Sequence, residues 1–292
     1  MRLRGKIRGR LRALVPILLL LTALTAGYLA YLSTHRPLPR GEVELRFLDV
    51  GQGDASLIVT PEGCVLIDAG GRDTAETLYY SVNMYGGRLA CLIVTHPHED
   101  HMGGAAYLLE KMRVGAVILP RTVPDDDAYR RFLTAVEDSG ADVLYAEPGL
   151  VFALGGARFT VLAPLVGYED ENDGSAVIRM DYGQVSALFT GDASAGSETD
   201  QLSRYGALYG GALDVDILKV GHHGAATSST DAYLAALTPR CAVISCGKNN
   251  AYGHPSSAVL ERLARAGCTV FRTDRDGTVT LVTDGKSIRS AS

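Results

Sequence analysis

The segment Thr95-His96-Pro97-His98-Glu99-Asp100-His101 sets four potential metal ligands, His96, His98, Asp100 and His101, within six residues. It follows the apolar run Leu89 to Thr95, which reads as a strand, and only an irregular loop turns side chains so closely spaced toward one point. Imidazole and carboxylate are the ligand set of zinc and similar divalent ions, and one loop can serve two ions. One or two histidines here would read as a solvated polar loop; this spacing points to a metal site. Of the seven histidines, six (His96, His98, His101, His222, His223, His254) lie in strand-end or loop segments flanked by Gly or Pro. Histidines used as core filler would be scattered instead. Taken singly, Asp192 reads as a turn former and His254 as a loop histidine. Asp68 reads equally as a helix N-cap, and Lys219 as a strand-end charge.

The elements that must position these groups are legible as alternating segments. Val43 to Val50 reads as a strand, Gly51-Gln52-Gly53-Asp54 as a tight turn, and Ala55 to Thr60 and Cys64 to Asp68 as further strands. Helices are expected over Asp73 to Tyr85, Gly104 to Arg113 and Asp126 to Ser139. Strand–helix alternation is expected to continue through Ala116 to Leu119, Val143 to Tyr145, Arg158 to Ala163, Ala176 to Tyr182, Val185 to Thr190, Ile217 to Val220, Ala242 to Ser245 and Val270 to Thr273. The fold class is α/β, with sheet covered by helices.

At 292 residues and 47% hydrophobic, the chain can bury a substantial core. Arg2, Arg4, Lys6, Arg8, Arg10 and Arg12 precede any acid although the whole chain is net −5, so its body is acidic. That body lacks the clustered Lys and Arg on which non-specific nucleic-acid binding depends, although net charge does not exclude a local basic strip. From Ala13 to Leu32 runs an uncharged segment of 20 residues, about the length that crosses a ~30 Å hydrocarbon core. The expected organisation is a basic cytoplasmic tail (1–12), a transmembrane or signal anchor (13–33), a Pro-containing linker (34–42) and a folded α/β domain (43–288) outside the membrane. The small residues Thr22 to Gly27 offer the competing reading of a cleaved signal peptide and a secreted protein. The apolar run continues past them through Tyr28, Leu29, Tyr31 and Leu32, which favours the anchor. Five cysteines, Cys64, Cys91, Cys241, Cys246 and Cys268, show no zinc-knuckle spacing and read as small buried residues; a single bridge outside the membrane stays open, with nothing in the sequence to select its pair.

The string His96 to His101 matches the HxHxDH signature of the metallo-β-lactamase superfamily. With DVGQGDA (Asp49 to Ala55), IDAGG (Ile67 to Gly71), LFTGDA (Leu188 to Ala193), LKVGHHGA (Leu218 to Ala225) and YGHPS (Tyr252 to Ser256), it resembles the hydrolase domain of ComEC-type competence proteins over residues 43 to 285. The resemblance implies an αββα four-layer sandwich holding two divalent ions, Zn²⁺ or Mn²⁺. It implies His96 and His98 on the first ion, and Asp100, His101 and His223 on the second. Asp192 would bridge the two, and Asp68 would orient the histidine loop. One departure stands out: the third histidine that many superfamily enzymes supply to the first ion is missing between Leu150 and Asp192, where Asn172-Asp173-Gly174-Ser175 stands instead. The first ion would then be under-coordinated, weakly held, or completed by water or an Asn172 oxygen.

The same resemblance leads to an expected activity, an extracytoplasmic phosphodiesterase or nuclease acting on DNA, single-stranded DNA among its substrates. Asp100 would serve both as ligand and in catalysis, while His222, Lys219 and His254 would hold phosphate or protonate the leaving oxygen, and Asn172 and Ser175 would contact substrate. The alternatives are a phosphorylcholine, teichoic-acid or other small phosphoester hydrolase, and a non-catalytic binding module of a DNA-uptake assembly. With a single apolar segment, any role in transport would need a separate channel protein as partner.

Overall fold

A computed structural model describes residues 20–29, 36–121, 124, 126–206 and 213–291. The chain divides into two units between Pro37 and Leu38. In the first unit, residues 20–29 are helical and exposed. Among the described residues no helix is long and apolar enough to cross a membrane. The tail 1–12 and residues 13–19 and 30–33 of the expected anchor lie outside the described residues.

The second unit is built on two sheets. One has eight strands in the order β15-β14-β1-β2-β3-β4-β5-β6, formed by β1 (Val43–Phe47), β2 (Ser56–Thr60), β3 (Gly63–Ile67), β4 (Arg88–Ile93), β5 (Arg113–Leu119), β6 (Asp142–Tyr145), β14 (Val279–Thr283) and β15 (Ile288–Ser290). The other has seven in the order β13-β12-β11-β10-β9-β8-β7, formed by β7 (Val151–Leu154), β8 (Ala157–Ala163), β9 (Val177–Tyr182), β10 (Val185–Phe189), β11 (Ile217–Lys219), β12 (Cys241–Ile244) and β13 (Thr269–Arg272).

Each sheet is covered on both faces, which is why central strands read as unbroken apolar runs rather than alternating ones. In β2, Ile58 points into the core between the sheets with Phe47, Ile93, Phe189 and Ile217. Its neighbours Leu57 and Val59 pack outward against Leu78 of α1 (Ala75–Asn83), Leu108 of α3 (Ala105–Lys111) and Phe132 of α4 (Asp127–Ser139). The short helix α2 (Glu99–Met102) lies in the histidine loop. On the far side, Leu188, Leu218 and Ile244 pack against Tyr205 of α5 (Ala195–Tyr205), Leu234 of α6 (Asp231–Leu237) and Leu263 of α7 (Ser257–Arg265). Phe47 stacks on Phe189 across the interface, ring centroids 6.0 Å apart. The result is the expected four-layer αββα sandwich.

Two expectations about elements are corrected. Strands β7 to β10 pair antiparallel in chain order with no intervening helix: the two-residue turns Gly155-Gly156 and Gly183-Gln184 leave no length for a crossover after β7 and β9, and the longer link 164–176 between β8 and β9 holds turns and bends instead of a helix. The helix expected to reach Arg113 ends at Lys111, since Arg113 opens β5 and pairs in parallel register with Arg88.

Candidate metal centre

The potential ligands gather where the parallel strands of both sheets end. Asp68 directly follows β3 with a left-handed backbone, φ +60°, a conformation Asp tolerates better than most residues. Its carboxylate is buried and used twice. Oδ1 accepts the Thr95 N–H at 2.8 Å and Oδ2 accepts the Thr95 hydroxyl at 2.8 Å, so the histidine loop is pinned at its first residue. Oδ2 also stands 2.9 Å from His101 Nδ1, which turns His101 Nε2 toward the second sheet. Burial lifts the Asp68 carboxyl above its ordinary range, with the nearby His101 pulling the other way.

From the second sheet, Asp192 arrives after β10. Gly191 precedes it at φ +52°, where an added Cβ would stand 2.9 Å from Thr95 Oγ1 and 3.0 Å from the Ser175 side chain; only glycine lets the two loops approach. The Asp192 N–H donates to Ser175 Oγ at 3.1 Å, and Asp173 Oδ1 accepts from Ser194 N, Ser194 Oγ and Ser197 N at the start of α5. His222 and His223 follow β11 in the left-handed region, φ +49° and +52°, at a cost of order 1–3 kcal/mol each that such sites typically carry. His223 Nδ1 faces the Ser245 carbonyl at 3.1 Å, leaving Nε2 to face Asp100 Oδ2 at 3.1 Å and Asp192 Oδ2 at 3.5 Å.

Around Asp192 the remaining donors close in: His101 Nε2 is 3.3 Å from Oδ1, and His222 Nε2 and His96 Nε2 are 3.7 and 3.9 Å from Oδ2. Yet His96 Nε2, His101 Nε2 and Asp192 Oδ1 are buried without a well-formed hydrogen bond, a costly state for polar atoms that the 3.3 Å approach of His101 to Asp192 offsets only in part. Donors each about 2.0–2.2 Å from a common zinc-like ion lie roughly 3–4 Å from one another, so these facing, unpartnered atoms fit divalent cations. The electrostatics agree. Burial keeps His96 neutral, its pKa well below 6.5, helped by the proximity of His101. Burial works against charge on Asp192, but His223 and His101 outweigh it and hold the carboxyl well below its ordinary range. His223 is likewise opposed by burial, and Asp192, Asp100 and Asp54 carry it up to about 10. Burial also opposes charge on His101, and Asp192 and Asp68 raise it; since imidazole ligates as the neutral form, a cation bound here would displace protons from His223 and His101.

Sequence reading passes over one member of the cluster. Asp54, His101, Asp192 and His223 each bring a ligand atom to within 4.8 Å of the others. Asp54 lies in the turn between β1 and β2, packed so closely on the histidine loop that a Cβ at Gly53 would stand 2.5 Å from the Asp100 carbonyl oxygen. Its Oδ2 is 2.5 Å from Lys219 Nζ and its Oδ1 is 3.3 Å from His223 Nδ1. Asp54 therefore meets His223 from behind, while Nε2 faces Asp100 and Asp192. The DVGQGDA string contains Asp54, but nothing local to that string indicates its partner across the fold.

Two residues expected to meet substrate lie buried. Lys219, expected to reach a phosphate, is 2% exposed, paired with Asp54, and its Nζ donates to the Val220 carbonyl at 2.8 Å. As the last residue of a central strand, it points into the packed junction of the two sheets. Ser175 is fully buried and serves as the acceptor for Asp192 N–H. Asn172 is half-buried, with a buried and unpartnered Oδ1. His222 and His254 stand side by side at the rim, ring centroids 5.7 Å apart, with exposed Tyr252 stacked on His254 at 5.7 Å. His98 lies on the outer side, its ring 4.5 Å from that of His96 and its Nε2 3.1 Å from Glu171 Oε2.

Comparison with known proteins gives a consistent picture. The profile of the metallo-beta-lactamase superfamily matches residues 48–248. The chain is 31% identical over 268 residues to ComE operon protein 3 of Bacillus subtilis, covering 83% of this chain and 33% of that protein. It is 34% identical over 238 residues to Recombination protein 2 of Haemophilus influenzae, covering 80% and 28%. It is 31% identical over 258 residues to Competence protein ComA of Neisseria gonorrhoeae, covering 87% and 34%. The chain thus spans about a third of the length of these relatives. Among solved structures, the metallo-beta-lactamase fold protein YhfI of Bacillus subtilis superposes with a TM-score of 0.56 at 10% identity, covering 83% of this chain and all of that one. CmlA, a diiron beta-hydroxylase of Streptomyces venezuelae, superposes with a TM-score of 0.51 at 18% identity, covering 80% and 53%. At these identities the superpositions speak for the fold alone.

Proposed function

Since the chain belongs to the metallo-β-lactamase superfamily, we propose that it is a metal-dependent phosphodiesterase whose substrate is a nucleic acid strand, acting in DNA uptake. The observation that carries this reading is that buried His96 Nε2, His101 Nε2 and Asp192 Oδ1 lack hydrogen-bond partners while both imidazoles face the Asp192 carboxylate at 3.9 and 3.3 Å. His96, His98, Asp100, His101, Asp192 and His223 would hold two divalent cations, Zn²⁺ or Mn²⁺, with Asp192 between them. When bound, such a pair supplies an acidified water near neutral pH and positive charge facing a phosphodiester. Asp68 fixes the tautomer and aim of His101, while Asp54 and the Ser245 carbonyl do the same for His223. His222 and His254 at the rim would hold non-bridging oxygens and deliver a proton to the leaving oxygen.

Competence-related relatives support DNA as the substrate class, and Tyr252, 71% exposed beside His254, offers a base a stacking face. The reading includes a domain outside the cell membrane, held by residues 13–33, for which the basic start and the uncharged run Ala13 to Leu32 argue. A separate channel protein would then be its partner.

The test is hydrolysis by the full chain with Mn²⁺ or Zn²⁺, comparing labelled single-stranded DNA with a small phosphodiester, beside Asp192→Ala with metal content measured. We expect cleavage of DNA, loss of both metal and hydrolysis in Asp192→Ala, and a selective loss on DNA in Tyr252→Ala. Turnover of the small diester without DNA cleavage would replace the substrate class with a small phosphoester. Unchanged metal load and activity in Asp192→Ala would overturn the site.

A further inference from the structure

Between β12 and α7 the chain runs past the His222-His223 pair and carries Tyr252 and His254. We infer that Asn250 is the positioning residue of this loop: its side-chain amide holds His254 in place beside His222 at the rim of the centre. The inference rests on the proposed function and names what aims its rim histidine.

Asn250 Nδ2 donates to the Gly247 carbonyl at 2.8 Å and to the His254 carbonyl at 2.6 Å. Its Oδ1 accepts the Tyr252 N–H at 3.2 Å and the His254 N–H at 3.0 Å. Both amide hydrogens and both lone pairs of the oxygen are thus engaged, and His254 is gripped through both of its backbone polar groups. The His254 ring has no such anchor at Nδ1, which is buried without a hydrogen-bond partner. It rests against the rings of His222, Tyr252 and His223, with centroids 5.7, 5.7 and 6.3 Å away. Where that imidazole stands therefore follows from where its backbone is held.

The two ends of the loop are pinned separately. Gly247 N–H donates to Gln52 Oε1 at 3.1 Å, and a Cβ at Gly247 would stand 2.9 Å from the Gln52 nitrogen. Ser256 N–H donates to the Gly224 carbonyl at 2.9 Å, and a Cβ at Gly224 would stand 2.6 Å from Pro255 Cβ. Gln52 belongs to the turn that carries Asp54, and Gly224 directly follows His223, so the loop is fastened to the metal centre itself. Between these pins, residues 248–254 are exposed or half-buried. A span with so little buried surface takes its shape from hydrogen bonds more than from packing, and the Asn250 amide supplies four of them. An asparagine that only closed a turn would affect stability alone, whereas one that aims His254 is coupled to His254 in turnover.

The experiment is a double-mutant cycle in the full chain. Hydrolysis of labelled single-stranded DNA and of a small phosphodiester with Mn²⁺ or Zn²⁺ is measured for wild type, Asn250→Ala, His254→Ala and the double variant, beside metal content, thermal melting and the ¹⁵N-imidazole NMR spectrum of the Zn²⁺-loaded protein. Asn250→Ala should keep the wild-type metal content and lower kcat about 10–100-fold, and it should slow His254→Ala no further. The His254 imidazole signal, identified by its absence in His254→Ala, should shift in Asn250→Ala while those of His96, His101 and His223 stay in place. Asn250→Asp, which keeps the acceptor and loses both donations, should be impaired too, and the cycle is run with it if Asn250→Ala does not fold. Penalties that add in the double variant, a wild-type rate in Asn250→Ala or His254→Ala, an unmoved His254 signal or a loss of metal in Asn250→Ala would each show that Asn250 does not act through His254, although the proposed function stands. If wild type hydrolyses neither substrate, the proposed function fails and this role of Asn250 fails with it.

Discussion

Asp68 Oδ2 lies 2.9 Å from His101 Nδ1 while its other oxygen accepts the Thr95 N–H, so one buried carboxylate sets both the start of the histidine loop and the direction of its last imidazole. Pairing within the eight-stranded sheet stands behind that contact: β3 and β4 run parallel, with Ile67 in register with Ile93.

Replacing Asp68 by Asn should leave the fold intact and loosen the centre. The amide cannot accept from Thr95 and His101 as the carboxylate does, so metal affinity should fall about 10–100-fold and hydrolysis with it. Metal titration alongside thermal melting checks this; a variant with wild-type affinity would show that His101 is aimed by the backbone alone.

Lys219 and Asp54 form a buried pair, 2% and 3% exposed. Lys219→Met strands the Asp54 carboxylate and should destabilise the protein by about 3–5 kcal/mol in urea denaturation, whereas adding Asp54→Asn should recover much of the loss. A phosphate-contacting lysine would behave differently, raising KM with stability untouched.

The Cys64, Cys91 and Cys246 thiols are each pushed up to about 12, by burial first of all. In the native protein at pH 8 they should resist iodoacetamide, and half-buried Cys241 and Cys268 should be modified first. Mass mapping of labelled peptides before and after denaturation decides; early labelling of Cys64 or Cys91 would contradict the packing described.

Asp274 receives hydrogen bonds from Arg272 Nε and Nη2 at 2.9 and 2.7 Å, which lower its carboxyl below the ordinary 3.8. A depressed folded-state value gives stability that is present above pH 3.8 and is lost as pH falls through the folded value. Asp274→Asn should therefore flatten the acid limb of stability below about pH 4 and cost about 1 kcal/mol or less at neutral pH, the pair being close to the surface. Identical acid limbs in the two proteins would remove Asp274 from the account.

Ligand density along the chain made the histidine loop legible: four donors in six residues leave little room for another reading, and the apolar run before them marks a strand that ends where they begin. The strand read over Val43 to Val50 is likewise present, shortened to Val43–Phe47, with Val43, Leu45 and Phe47 buried and half-buried residues between them. Long-range pairing is different. That Val43 sits opposite Thr283, or that β7 to β10 form hairpins, depends on which apolar faces find each other, and a run of hydrophobic residues carries no address.

The same division runs through the centre. The residue types of HPHEDH, the Gly-Asp turn at 191–192 and the His222-His223 pair are local properties, readable because ligand chemistry constrains the side chain itself. Whether a charged group faces solvent, a cation or another charge is settled by burial, which depends on everything folded around it. Hence Lys219 turns inward to Asp54, Ser175 accepts from the Asp192 N–H, and Asp54 joins the ligand cluster although its string does not announce that partner. Position relative to the low-dielectric core sets what each of these groups can do, and that position exists only once both sheets have closed on each other.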